Sequence, residues 1–243
     1  MAKYSFSEAT LLIVDDENFS RIAVLRLLKN LGDPNTLSAT NGLEAITTLE
    51  KRRSMINCVI ADFNMPVMHG LQLLKKIRMG ENKVPRNLPV IMLTGHGEAS
   101  LVNLAIQLDV NTFILKPATV DSIGSRLQEA LAMDHEDETW LKPIEEYEKI
   151  DVDTPINDIL KKNALSQISE QKPVKVQLRE TPSNVVECEL QNIKEWNIIA
   201  RNVSGPSGQV FINAGTQVTN RLIEQLKSLQ DMGLMPETIW IKK

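Results

Sequence analysis

Three acids stand where two short apolar runs stop. TLLIV, residues 10–14, runs into Asp15-Asp16, and CVIA, residues 58–61, runs into Asp62. Two more runs, PVIML (89–93) and TFIL (112–115), stop at Thr94-Gly95 and Lys116-Pro117. Apolar runs of this length bounded by turn signals fit strands buried on both faces. If the strand ends meet, three carboxylates crowd together and repel. A hard divalent cation relieves that repulsion, and an all-oxygen donor set suits Mg²⁺. Lys116 brings a compact ammonium fit for a phosphate or carboxylate. Thr94 brings a hydroxyl, and the main chain at Gly95 can approach a ligand closely for want of a Cβ. Donors of these kinds aimed at one point describe a phosphoryl-transfer site. A carboxylate can itself be the nucleophile and form an aspartyl-phosphate. Asp62, alone at the tip of its strand, is the candidate.

The elements that must position these residues alternate. Helical spacing appears at Ile22, Leu25, Leu28 and Leu31, then at Leu43, Ile46 and Leu49, then at Leu71, Leu74 and Ile77. It returns over 101–108 and at Val120, Ile123, Leu127 and Leu131, and residues 36–40 add a short strand candidate. Strand and helix repeated five times predict a five-stranded, doubly wound parallel α/β sheet. All strand carboxyl ends of such a sheet share one edge, which is where open α/β sheets bind ligands. Asp15, Asp16, Asp62, Thr94 and Lys116 are therefore expected to converge there.

The bulk properties set limits. With 243 residues and 42% hydrophobic content, the chain can hold two ordinary domains. A net charge of −4 and a pI near 5.5 argue against a nucleic-acid surface. No stretch reaches the roughly 20 apolar residues of a membrane span, and the N-terminus lacks the apolar core of a leader. Cys58 and Cys188 stand far apart in the sequence, which suggests reduced thiols in a cytoplasmic protein. His69, His96 and His135 show no metal-ligand spacing.

VDDE at 14–17, ADFNMPVMHG at 61–70, LTG at 93–95 and FILKP at 113–117 resemble, in order and spacing, the receiver domain of two-component response regulators, the CheY-like (flavodoxin-like) fold. The resemblance runs from Leu11 to about Met133. It implies that Asp62 accepts a phosphoryl group from a histidine kinase or phosphotransfer protein, in a chain that is otherwise no enzyme. It implies Mg²⁺ held by Asp15, Asp16, Asp62 and the backbone carbonyl of Asn64. Lys116 matches the lysine that pairs with phosphate, and Thr94 and Phe113 match the switch pair. Asn64 and His96 fall where the family tunes phosphoryl lifetime. The surface expected to change spans 99–108, 112–115 and 120–133, and its last strand and helix are one place for a homodimer contact.

Residues 1–133 are thus expected to form the receiver. Residues 134–155 are rich in acids, facing only Lys142 and Lys149, and fit a solvated connector. Trp140, Ile144 and Tyr147, with Pro143 at a first helical position, leave a short amphipathic helix as the alternative. Residues 156–243 read as a small α+β module. It would open with a helix over 155–166, followed by period-two strands at Val174, Val176, Leu178 and at Val186, Cys188, Leu190. Strands over 196–203 and 209–212 would flank a turn at 204–208. Thr219 would cap a helix bearing Leu222, Ile223, Leu226 and Leu229, and 238–241 would return as a strand. The line GQVFINAGTQVT at 208–219 resembles, more weakly, the small module found beside HD-GYP phosphodiesterase domains. The phosphodiesterase ligands themselves are missing, so the module implies interaction or sensing with an unidentified protein partner. The alternatives are a DNA-binding output, disfavoured by the lack of a helix-turn-helix pair or a basic face, and a regulator of cyclic-dinucleotide signalling.

Overall fold

The computed structural model describes residues 5–52, 55–95, 99–132, 138–154, 185–205, 210–231 and 233–242. The expected helix over 155–166, the alternation at 174–178, the turn residues 206–208, and His96 and His135 lie outside the described residues. The chain divides into two compact units, 1–150 and 151–243.

In the first unit the order is β1 (Thr10–Val14), α1 (Asn18–Lys29), β2 (Asn35–Ala39), α2 (Gly42–Arg52), β3 (Cys58–Asp62), α3 (Gly70–Met79), β4 (Val90–Thr94), α4 (Ala99–Gln107), β5 (Thr112–Leu115) and α5 (Val120–Leu131). The five strands form one parallel sheet in the order β2-β1-β3-β4-β5. That is the doubly wound flavodoxin-like order, in which direction reverses between β1 and β3. Every residue of β3 and β4 is buried. Helices on both faces account for this, and for sequences that are apolar throughout rather than alternating.

The helices differ from the expected ones in detail. α1 begins at Asn18, before the apolar spacing starts, and it buries Val24 and Leu28 while leaving Ile22 38% exposed. α2 buries Ala45, Ile46 and Leu49 but exposes Leu43. α3 begins with a reciprocal cap: His69 Nδ1 accepts from Gln72 N–H and Gln72 Oε1 accepts from His69 N–H. His69 is therefore a helix cap.

The acidic stretch carries a short helix, α6 (Ile144–Glu148), which packs on α3 and buries Tyr147 completely. In the second unit β6 (Val185–Glu189) pairs antiparallel with β9 (Thr238–Lys242), and β7 (Val203–Ser204) pairs with β8 (Val210–Ile212). The expected strand over 196–203 is broken. Trp196 takes φ 75°, and only isolated bridges at Ile198 and Ile199 precede β7. α7 (Asn220–Asp231) is capped by Thr219, whose hydroxyl accepts from Leu222 N–H, and it buries Leu222, Leu226 and Leu229.

Candidate functional site

β1 and β3 are neighbours at the reversal point, and their carboxyl ends put Asp15, Asp16 and Asp62 on one edge. One carboxylate oxygen from each lies within 4.8 Å of the others. Asp15 and Asp62 are buried, whereas Asp16 is exposed. Three hard oxygen donors at this spacing, two of them held out of bulk water, fit a small divalent cation that keeps water on its remaining positions.

β5 brings Lys116 to the same point. Its Nζ lies 2.5 Å from Asp62 Oδ1 and 3.2 Å from Asp15 Oδ2. Burial works against the ammonium's charge. The hydrogen bond and charge of Asp62, and then the charge and hydrogen bond of Asp15, outweigh it and hold Lys116 above the usual lysine range. Lys116 is thus a fixed cation at neutral pH. Asp62 Oδ2 accepts from Asn64 N–H at 3.2 Å, so the chain leaving β3 folds back over the carboxylate.

Thr94 and Phe113 are fully buried beside this edge. The Thr94 hydroxyl donates to Gly95 O at 3.3 Å. The Phe113 ring stacks on Phe63, with centroids 6.5 Å apart and planes 17° apart. Phe63 directly follows Asp62, so the aromatic pair ties the end of β3 to β5.

Sequence reasoning missed two residues besides Phe63. Ser20 Oγ donates to Asp15 Oδ2 at 2.5 Å, and Arg21 Nη1 donates to Asp15 O at 2.7 Å. Ser20, with Glu17 N–H on Oδ1 at 2.8 Å, fixes the Asp15 carboxylate, while Arg21 holds its backbone carbonyl. A serine one turn into α1 gave no such signal, because α1 was expected to start after it. A further contact is steric. A Cβ on Gly70 would lie 2.1 Å from Asp62 O, so α3 can begin against β3 only with glycine there.

The profile of the family described as response regulator receiver domain matches residues 11–128. A chemotaxis protein CheY homolog of Campylobacter jejuni is 36% identical over 121 residues, which are 50% of this chain and 91% of that protein. The chain belongs to the response regulator receiver family. Chemotaxis protein CheY-3 of Vibrio cholerae is 39% identical over 117 residues, covering 48% of this chain and 87% of that protein. A response regulator receiver domain protein of Clostridium thermocellum is similar in structure, with 27% identity and a TM-score of 0.46 over 51% of this chain and 94% of that one. The receiver match stops at residue 128, so neither the α6 segment nor the second unit is part of it. Among the described residues no helix is long and apolar enough to cross a membrane.

Proposed function

We propose that Asp62 is the phosphoacceptor of this receiver and that a histidine kinase or phosphotransfer protein is its donor. The observation that carries the proposal is the meeting of Asp62 with Lys116 at 2.5 Å, with Asp15 and Asp16 carboxylate oxygens within 4.8 Å. An Asp62 oxygen attacks the phosphorus of a phosphohistidine. The new O–P bond forms as the N–P bond breaks, and the departing imidazole nitrogen takes the electron pair and then a proton. Lys116 neutralises charge on the phosphoryl oxygens as they arrive. Asp15, Asp16, Asp62 and the Asn64 carbonyl are the residues that would hold Mg²⁺, which when bound offsets the charge of the transferring phosphoryl group. The chain's own part is to hold four oxygens and one ammonium in place before the donor docks.

The product carries about −1.5 to −2 charge and three new acceptors at the sheet edge. The Thr94 hydroxyl, at the carboxyl end of β4, is the switchable donor, and Phe113 is the ring that moves with it. The second unit, 151–243, is the output: an interaction or sensing module in a cytoplasmic signalling protein. Acetyl phosphate with Mg²⁺ tests this. The wild-type chain should gain one phosphoryl mass, and either EDTA or Asp62→Asn should abolish the gain with the fold retained. Undiminished labelling of Asp62→Asn would overturn the assignment.

A further inference from the structure

Residues 138–150 lie past the family match yet belong to the first compact unit. At the pole opposite Asp62, residues 138–150 lie across the ends of α3 and α4 and the start of β5. Asp109, between α4 and β5, is the centre of this contact. Its Oδ2 accepts from the Tyr147 hydroxyl at 2.7 Å and from Lys142 Nζ at 2.7 Å. Lys142 Nζ also donates to Gln107 O, the last residue of α4, at 2.7 Å. Arg86 Nη2 donates to Lys142 O at 2.6 Å, and Lys75 Nζ donates to Glu148 O and Ile150 O. Beneath them the fully buried Arg78 guanidinium lies 5.2 Å from the Trp140 ring. It donates to Asp109 O, Arg86 O, Leu88 O and Asn111 Oδ1. Burial lowers Arg78 to about 10, which leaves it charged at neutral pH.

This is a built docking surface, and its occupant is this chain's own segment. A fully buried Tyr147, with hydrogen bonds joining the segment to Lys75, Arg86, Gln107 and Asp109, does not arise from a connector resting on a surface. Besides α3, the segment holds Gln107 at the end of α4 and Asp109 just before β5, and α4 and β5 both reach the acidic edge at their other ends. β5, four residues or about 13 Å long, runs from near Asp109 through Phe113 to Lys116. Thr94 leads through 95–98 into α4. The segment is also the covalent route to the second unit, which begins at Asp151.

We propose that the Asp109–Arg78 surface binds residues 138–150 in the unphosphorylated receiver, and that phosphorylation of Asp62 weakens this docking and so signals to the second unit. The proposal rests on the phosphoacceptor reading. The sign follows from the geometry: a phosphoryl charge at Asp62 that draws Thr94 and Lys116 toward itself shifts β5 and the chain entering α4, and so displaces Gln107 and Asp109, which Lys142 and Tyr147 hold at the far ends. By linkage, loosening the clamp must favour the phosphorylated arrangement equally.

The test uses the full chain with Mg²⁺ and fluoroberyllate, a phosphoryl mimic, in two measurements. Hydrogen exchange should slow around 62–70 and quicken in 138–150 when fluoroberyllate binds. Tyr147→Phe, which keeps the ring and loses only the hydroxyl, and Lys142→Met should each bind fluoroberyllate roughly 5-fold more tightly, at the low end of ordinary coupling between sites. A purely structural role would move stability and leave that affinity alone. Slowed exchange at 62–70 with unchanged or slower exchange at 138–150, or wild-type affinity in both variants, overturns the docking switch alone. No change at 62–70 overturns it together with the phosphoacceptor reading.

Discussion

Gly70→Ala tests whether the acidic edge depends on α3 starting in contact with β3. The added Cβ would lie 2.1 Å from Asp62 O and 2.6 Å from Met92 Cε. The methionine end can swing aside. The Asp62 carbonyl cannot do so cheaply, because β3 is buried throughout and paired on both sides. Real Cβ contacts essentially never fall under 3.0 Å, so backbone must move by about 1 Å, at the upper end of ordinary overpacking costs, about 3 kcal/mol. Alanine's better helix propensity returns at most about 1 kcal/mol, and less at a first helical position. The clash wins, leaving a net loss of about 2 kcal/mol. In urea, the receiver's unfolding midpoint should drop by roughly 1 M. The Asp62 carboxylate moves with its carbonyl, so Mg²⁺ affinity measured by calorimetry should weaken several-fold. A variant with an unchanged or raised midpoint and unaltered Mg²⁺ affinity would refute the reasoning.

Three further outcomes follow from particular contacts. Ser20→Ala removes one of the hydrogen bonds fixing the Asp15 carboxylate, so Mg²⁺ binding should weaken about 2- to 10-fold by calorimetry, while Ser20→Thr restores it; equal affinity in all three chains would exclude the positioning role. Arg78→Met leaves three carbonyls and Asn111 Oδ1 without their buried donor, at about 3–5 kcal/mol, and a thermal melt should fall by about 10 °C; an unchanged melt contradicts the buried network. Burial, then the charge of Asp109 and its hydrogen bond, push the Tyr147 phenol well above its ordinary 10. The stability this contributes is complete below pH 10 and is lost as pH rises through the folded-state value. Ultraviolet titration should therefore show one of the two tyrosines ionising late, a phase that Tyr147→Phe removes, and two phenols both titrating near 10 would contradict the packing.

The sheet was legible because buried parallel strands write themselves as short apolar runs, and the acids, Thr94 and Lys116 sit where those runs stop. Their convergence followed from topology, since parallel strands share an edge. Helix faces were less legible. Ile22 and Leu43 fit a 3.6-residue period, yet Val24 and Ala45 are the residues covered, because packing rather than period decides which side of the helix is buried. Ser20 acts through Asp15, across the turn into α1, and Phe63 through Phe113, two strands away, and neither residue type carries a signal by itself. The docked segment was the least legible. Its acids, Glu145, Glu146 and Glu148, read as solvated, while its hold on the receiver comes from Lys142, Tyr147 and partners 33 to 75 residues away. The break at Trp196 was likewise hidden, because a positive φ at a tryptophan has no counterpart in composition.

The most direct test of the central claim locates the phosphoryl group by residue. After phosphorylation with acetyl phosphate and Mg²⁺, borohydride reduces an aspartyl-phosphate to homoserine, and peptide mass spectrometry reads its position. The geometry predicts homoserine at position 62 alone, with unmodified aspartate at 15 and 16. Homoserine at 15 or 16, or a stable phosphate on a hydroxyl such as that of Thr94, would contradict it.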